Sequence, residues 1–204
     1  ALDDVWRLDV GDNRKLLRWT EIKTRKSPPG RSQHAAVVVA DYLLILGGAS
    51  NDVLSEGLSR RLENLDALNL VTTEWIVLET SGKSPTSLPG QLAHRIGIND
   101  DLVCVDANEE SGNGKFNDIY ILHCDLRGAN SRVTWIKLHI EWDSDWTMVP
   151  GRLEGHFSTC SPASGMLFIF GGRTPQYNTM SDATLIVDLA EAAGLHVASP
   201  EDVA

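Results

Sequence analysis

Three histidines, His34, His94 and His156, recur along the chain at intervals of 60 and 62 residues. An imidazole can bind a metal or act as a general base near neutral pH, so each is a candidate for chemistry. Each ends a similar motif that begins with Pro-Gly, and the third copy has one extra residue. Because a catalytic group is needed once and a packing group in every repeat, the repetition predicts structural histidines.

Arginine also recurs in this motif, as Arg31 and Arg152. A guanidinium can donate hydrogen bonds to loop carbonyls and to neighbouring carboxylates, so we expect both to be structural. Arg173 directly follows a Gly-Gly pair and has no counterpart in the other repeats. Since functional residues should be those that do not repeat, Arg173 is predicted to contact a partner.

A non-repeating segment at 139–148 interleaves aromatic and acidic residues: Trp142 and Trp146 alternate with Asp143 and Asp145. Exposed indole rings and carboxylates suit a basic side chain of a protein or peptide partner, through cation–π and charge-assisted contacts. In the alternative interpretation, the two tryptophans pack against the edge of the fold. The Asp-x-Asp pair suggests calcium, but the other oxygens and the glycine of an EF-hand loop are missing.

Composition and charge argue against several classes of protein. The 204 residues include 28 acidic and 18 basic ones, and the net charge of −10 disfavours nonspecific binding to nucleic acid. No apolar run approaches the ~18 residues of a membrane span. The N-terminus has no signal-peptide pattern, so we expect a cytoplasmic or nuclear protein unless a leader lies outside this sequence. The three cysteines are widely spaced, which predicts reduced thiols and no zinc site.

Short β-strands are predicted to position these residues. Each Pro-Gly motif precedes two apolar runs separated by a turn, the pattern of a β-hairpin. The paired runs are 35–39 with 42–46, 95–98 with 102–105, and 157–160 with 166–170. We therefore expect each of the three histidines to open the first strand of its hairpin.

The second run of each hairpin ends in a characteristic dipeptide. It is Gly47-Gly48 in the first unit and Gly171-Gly172 in the third. Paired glycines suit a sharp turn that needs positive φ or close backbone approach. The middle unit has Asp106-Ala107 at this place and departs from the pattern.

Two more strands are predicted in each unit. The third strand follows an aspartate and the fourth is centred on a tryptophan, and the N-terminus repeats this second half. The predicted strands are 4–9, 18–22, 67–70, 74–77, 119–122, 134–137 and 183–187. Because Trp19, Trp75 and Trp135 recur at one register, we expect all three to be buried between neighbouring sheets.

This succession of apolar hairpin, Gly-Gly, Asp-led strand, Trp strand and Pro-Gly-Arg-x-x-His motif resembles the kelch repeat over about residues 2–190. The resemblance implies an all-β, kelch-type β-propeller segment built from four-stranded antiparallel blades. The whole chain, 1–204, would be part of one propeller, and the remaining blades would come from the same polypeptide or a second copy. Its predicted parts are a half blade at 2–26, blades at 29–80 and 89–140, an incomplete blade at 150–190, and a tail at 191–204.

Two loops on the predicted binding face differ from the repeat. In the first, the spacing of four leucines predicts a short amphipathic helix within 49–64, with Arg61 on its polar side as a partner contact; the alternative is a turn-rich loop. These leucines are Leu54, Leu58, Leu62 and Leu65. The second loop, 108–115, is polar and rich in glycine, so we expect a flexible connector.

The resemblance also implies a function. Kelch domains recruit or scaffold protein partners through inter-blade loops and strand 2–3 loops, for example as ubiquitin-ligase substrate adaptors. Kelch-like copper oxidases and iron-dependent specifier proteins have ligand patterns that this sequence lacks, so we expect no catalysis, no cofactor and no metal. The alternative is the non-catalytic kelch half of a multidomain enzyme such as a tRNA-modifying methyltransferase, because residues 171–175 resemble the kelch part of those enzymes.

Overall fold

The structure is a computed structural model. It describes residues 2–11, 16–53, 59–85, 90–97, 102–107, 118–127, 131–138, 153–174, 178–182 and 184–190. These residues form β-strands joined by turns and include no helix, so none could cross a membrane as a helix. The predicted all-β class is confirmed.

The strands fall into four groups along the chain. The half blade has β1 (Val5–Val10) and β2 (Leu17–Ile22). The first blade and its ribbon have β3 (Arg31–Ser32), β4 (Ala35–Val39), β5 (Tyr42–Leu46), β6 (Ala49–Val53), β7 (Ser59–Arg61), β8 (Asp66–Asn69) and β9 (Trp75–Val77). The middle blade has β10 (Thr80–Ser81), β11 (Leu92–Ile96), β12 (Leu102–Ala107), β13 (Asp118–Asp125) and β14 (Arg132–Lys137). The last blade and its ribbon have β15 (Phe157–Ser161), β16 (Met166–Phe170), β17 (Arg173–Thr174), β18 (Thr179–Met180) and β19 (Thr184–Asp188).

Each blade is an antiparallel meander. The strand order is β4-β5-β8-β9 in the first blade, β11-β12-β13-β14 in the middle blade and β15-β16-β19 in the last. The predicted strand pairs are confirmed, and three strands (35–39, 42–46 and 166–170) have the predicted bounds. The predicted division of the chain into parts stays a prediction.

The blades pack face to face, so that the middle blade is covered on both sides. Alternate residues of a strand point to opposite faces. Val103 and Val105 accordingly belong to a core shared with the first blade, whereas Cys104 belongs to a core shared with the last blade. The innermost strands β4, β11 and β15 lie next to one another in that order. We call the contact between the middle and last blades the second seam.

A parallel strand pairing, which the sequence pattern does not indicate, joins neighbouring blades. After the outer strand of the first blade, β10 pairs in parallel with β14, the outer strand of the middle blade. Arg25 bridges Glu74 in the same way, one blade earlier. A Cβ added at Gly82 would lie 2.2 Å from the carbonyl oxygen of Trp135, so only glycine fits at this crossing.

The expected burial of all three repeated tryptophans is wrong. Trp135 is buried in the core between the first and middle blades, and Trp75 is partly buried. Trp19 has 63% of its surface exposed. Its strand pairs with β1, and Leu8, the residue opposite Trp19, is also exposed.

The predicted helix within 49–64 is also wrong. Strands β6 and β7 occupy this segment and pair with each other, with Ala49 opposite Arg61 and Val53 opposite Ser59. The leucine spacing is ambiguous, because residues four apart share a face in a strand as well as in a helix. Leu62 and Leu65 are buried, as a chain segment that covers the blade edge requires. The predicted connector at 108–115 lies outside the described residues.

Candidate partner-binding face

Two small β-ribbons stand on one face, where the chain leaves the second strand of the first and last blades. The first ribbon is β3-β6-β7, and the second is β17-β18, which Glu154 joins through a backbone bridge to Arg173. The paired glycines begin both ribbons with φ between 64° and 91°, a region that side chains with a Cβ rarely adopt. The Gly-Gly dipeptides therefore set the direction in which each ribbon starts.

The second glycine of each pair also packs against the histidine of the same blade. A Cβ added at Gly48 would lie 3.0 Å from the Cβ of His34, and one at Gly172 would lie 2.9 Å from the Cβ of His156. The same two residue types thus make one close contact in two blades. This contact supports the structural interpretation of these two histidines.

His94 does not occupy the equivalent position in the middle blade. His34 and His156 directly precede β4 and β15, whereas His94 is the third residue of β11 and pairs with Cys104. The expectation that all three histidines open their strands is therefore wrong for His94. The middle blade has Asp106-Ala107 in place of the glycine pair, and its first strand begins two residues before the histidine.

Arg31 belongs to β3 of the first ribbon, and its side chain is buried. Its guanidinium forms an ion pair with the buried carboxylate of Asp66 and donates a hydrogen bond of 3.2 Å to the carbonyl oxygen of Gly47. It also donates to the carbonyl oxygen of Pro29. Loop carbonyls and a carboxylate are the acceptors predicted for a structural arginine. The sequence pattern did not indicate that Asp66 supplies the carboxylate.

The structural counterpart of Arg31 in the last blade is Leu153. Ser32 pairs with Ala49, and Glu154 pairs with Arg173, in each case directly after the glycine pair. Ser32 and Glu154 are therefore equivalent positions, and so are the residues before them, Arg31 and Leu153. The predicted equivalence of Arg31 with Arg152 is wrong. The extra residue of the third motif causes this shift. Arg152 itself lies outside the described residues.

Arg173 lies on the second ribbon with about half of its side chain exposed. Its guanidinium donates to Glu154 Oε2 at 3.1 Å and to Asn178 Oδ1 at 3.2 Å. Thr174 and Thr179 share a hydrogen bond of 2.7 Å between their hydroxyls, which ties the two strands of the ribbon. Arg173 is therefore held in one orientation on an accessible face, and its contact with a partner stays a prediction.

The other residues predicted to contact a partner are only partly placed. Arg61 ends β7, on the first ribbon. Trp142, Asp143, Asp145 and Trp146 lie outside the described residues, so their proximity to Arg173 stays a prediction. Among the described residues, no group of three or more histidine, cysteine or acidic side chains could hold a metal ion.

Two polar contacts cross the second seam. His156 Nε2 lies 2.6 Å from Asp106 Oδ2, and His94 Nε2 lies 2.7 Å from Ser158 Oγ. Burial alone would lower the pKa of His156, but the hydrogen bond and charge of Asp106 raise it. Burial lowers the pKa of His94, against the charge of Asp106. In the sequence, the contact between His156 and Asp106 is indicated by the aspartate at position 106, where the first and third units have a glycine.

A cavity of about 230 Å³ lies between the half blade and the first blade. Trp6, Leu43, Ile45 and Trp75 contribute to its wall, and Asp3 and Asp4 also line it. The indole nitrogen of Trp75 is buried there and makes no hydrogen bond within the described structure.

Comparisons with known proteins support the fold. No family model matches the sequence. An F-box/kelch-repeat protein of Arabidopsis thaliana is 26% identical over 201 residues, which covers 93% of this chain and 37% of that protein. The acyl-CoA-binding domain-containing protein 5 of Arabidopsis thaliana is 37% identical over 100 residues, which covers 48% of this chain and 14% of that protein.

The solved structure of YjhT matches with a TM-score of 0.61 at 16% identity, over 92% of this chain and 57% of that one. The fold is that of a kelch-type β-propeller segment. The chain spans well under half the length of the two curated relatives, and the relative named for its kelch repeats favours a protein-interaction module in general.

Proposed function

We propose that this chain is part of a kelch-type protein-interaction module, which recruits or scaffolds a partner through the face that carries the two ribbons. The observation that carries the proposal is the placement of Arg173, an accessible guanidinium held by Glu154 and Asn178. Arginine is enriched among the residues that dominate binding energy at interfaces. A side chain that is already oriented loses less conformational entropy when a partner binds.

The partner is a protein or peptide that offers acceptor oxygens to Arg173 and a basic segment to the aromatic and acidic residues of 139–148. The net charge of −10 favours such a segment over a nucleic acid, and the four residues Trp142, Asp143, Asp145 and Trp146 would supply aromatic and acidic contacts to it. The F-box in the name of one relative motivates the more specific role of a ubiquitin-ligase substrate adaptor. We place this function in the cytoplasm or nucleus, without a cofactor, without catalysis and without a membrane.

Replacing Arg173 tests this proposal. Partners are captured with the native chain, identified, purified and titrated by calorimetry against the native chain and the Arg173→Ala variant. We expect the variant to lose at least about tenfold in affinity, or ~1.4 kcal/mol, while its melting temperature stays within a degree or so of the native value.

Arg7→Ala is the matched control. Arg7 is also an exposed arginine in an ion pair, with Asp9 at 2.8 Å, but it lies on β1 of the half blade. Its replacement should leave affinity unchanged. The proposal is wrong if Arg173→Ala binds every partner as tightly as the native chain, or if both variants lose affinity to the same extent.

A further inference from the structure

Among the described residues, four polar side chains form hydrogen bonds across the second seam, within a core of apolar side chains. Asp106 and His94 come from the middle blade, and His156 and Ser158 come from the last blade. Around them lie Ile96, Cys104, Ile119, Leu167 and Ile169, all fully buried. Polar groups in such a core are costly unless they bind one another, so their pairing determines how well the two blades hold together.

Asp106 and His156 form the more deeply buried of the two contacts. Their side chains are 0% and 2% exposed, and Nε2 and Oδ2 are 2.6 Å apart. At such a place solvent screens the attraction between opposite charges only weakly, so a protonated imidazole binds the carboxylate of Asp106 more strongly than a neutral imidazole does. The pair therefore binds the two blades more strongly while His156 carries a proton.

His94 offers an internal comparison in the same seam. It bonds a neutral hydroxyl, that of Ser158, and burial lowers its pKa. A hydroxyl can donate to or accept from a neutral imidazole, so this contact does not need a proton on the ring. The pKa values of the two histidines are thus shifted in opposite directions, although both lie in one seam.

The two cysteines of the second seam carry no charge near neutral pH. Burial raises the pKa of Cys160 to about 11 and raises that of Cys104, so both remain thiols. On the segment that carries His156, the carboxylate of Glu154 is turned to Arg173 on the ribbon. Among the described groups at the seam, His156 is the histidine whose pKa is raised above the ordinary value of 6.5, so its charge changes as the pH rises through that raised value.

We propose that Asp106 and His156 form a proton-dependent latch between the middle and last blades, which holds while His156 is protonated and loosens when it loses its proton. The sign follows from the direction of the shift. A histidine whose pKa is raised by folding stabilises the folded state fully below its unfolded-state pKa of 6.5, and this contribution is lost as the pH rises through the raised value. The latch does not depend on the proposed function.

Ring-nitrogen NMR of the full chain tests the latch directly. The histidines are labelled and titrated from about pH 5 to about pH 9, and His156→Asn identifies the resonance of His156. We expect His156 to titrate above 6.5 in the native chain and His94 to titrate below it. In Asp106→Asn the midpoint of His156 should move to lower pH, because the charge that favours its protonation is gone.

Hydrogen exchange measures whether the seam loosens. Rates are expressed relative to those of an unstructured peptide at the same pH. Amides of β15 should lose protection as the pH rises through the midpoint of His156, and amides of β4 should not. His94→Asn is the matched control and should leave the pH dependence of β15 in place. The proposal is overturned if His156 titrates below 6.5 in the native chain, or if protection of β15 does not follow its titration; the pH dependence of β15 protection is measured on the native chain and needs no variant.

Discussion

The first and last blades have the same backbone plan but fill two buried positions differently. In the first blade, Arg31 and Asp66 form a buried ion pair. In the last blade, the counterpart of Arg31 is Leu153. The counterpart of Asp66 is Leu185, because Ile45 pairs with Asp66 and Ile169 pairs with Leu185, two residues before each glycine pair.

The two blades share one close contact but differ in the charges beside it. Both blades have the close contact between the second glycine and the histidine, at 3.0 Å in one and 2.9 Å in the other. The charges beside that contact differ: Arg31 lies near His34, and Asp106 lies against His156. The glycine–histidine contact is therefore common to the first and last blades, and the ion pairs are specific to one place in the chain.

The largest expected effect comes from removing one partner of the ion pair in the first blade. Asp66→Ala leaves the guanidinium of Arg31 buried without its carboxylate, and we expect it to cost about 3–5 kcal/mol in the free energy of unfolding. The double variant Arg31→Leu with Asp66→Leu, which copies the last blade, should cost much less than the single change. Urea denaturation measures both. If the double variant is as unstable as Asp66→Ala, the two blades are not interchangeable at these positions.

A smaller loss is expected at the glycine that contacts the histidine. Gly172→Ala and Gly155→Ala both put a Cβ at positive φ, which costs roughly 1–2 kcal/mol. Only at Gly172 does the new Cβ also meet His156, whereas nothing lies within 4 Å at Gly155. We expect Gly172→Ala to cost about 1–3 kcal/mol more than its control. Equal losses in thermal or urea unfolding would show that the contact is not restrictive.

His34 and His156, the two histidines that contact a glycine pair, should make the stability of the fold depend on pH in opposite ways. His156 has a raised pKa, so its contribution should fade as the pH rises above 6.5 through that raised value. Partial burial and the charge of Arg31 lower the pKa of His34, so its contribution should fade as the pH falls below 6.5. Urea midpoints of native, His156→Asn and His34→Asn chains across pH would measure this. The same sign for both would contradict the different charges beside them.

Much of this comparison could be predicted from the sequence. Alternating and apolar runs located the strands of each blade, because period-2 patterning reflects burial directly. The glycine pairs pointed to positive φ, which the structure has at all four glycines. Both signals are local, so each could be interpreted without knowing which strands become neighbours.

The wrong or missing predictions concern interactions between segments that are distant in the sequence. Alignment on Pro-Gly-Arg matched Arg31 with Arg152, because a one-residue insertion leaves the motif intact while it shifts the strand pairing. Asp66 lies 35 residues from its partner, and Asp106 lies 50 residues from His156, so no local pattern links them. Trp19 shares its spacing with Trp135, but burial depends on whether another sheet covers the ring.

The smallest effect on stability, and the most informative for function, is expected for Glu154→Gln. Position 154 corresponds to Ser32 in the first blade, so the carboxylate beside Arg173 is specific to the last one. The ion pair between Glu154 and Arg173 is partly exposed, and its Oε2 and Nη2 atoms are 3.1 Å apart. It should contribute only about 0–1 kcal/mol to the free energy of unfolding. The backbone bridge between the two residues, with N–O distances of 2.8 and 2.9 Å, does not involve the side chain and should persist.

Binding should respond more than stability. Without the carboxylate, Arg173 keeps Asn178 as its partner but loses its charged anchor, so it must be ordered when a partner binds. We expect affinity to fall about two- to tenfold, because the ordering of one long side chain costs about 0.5–1.5 kcal/mol. Calorimetry with the partner used for Arg173→Ala gives the comparison. Tighter binding by Glu154→Gln would mean that Glu154 competes with the partner for the guanidinium, and the second ribbon would then hold Arg173 back from its partner.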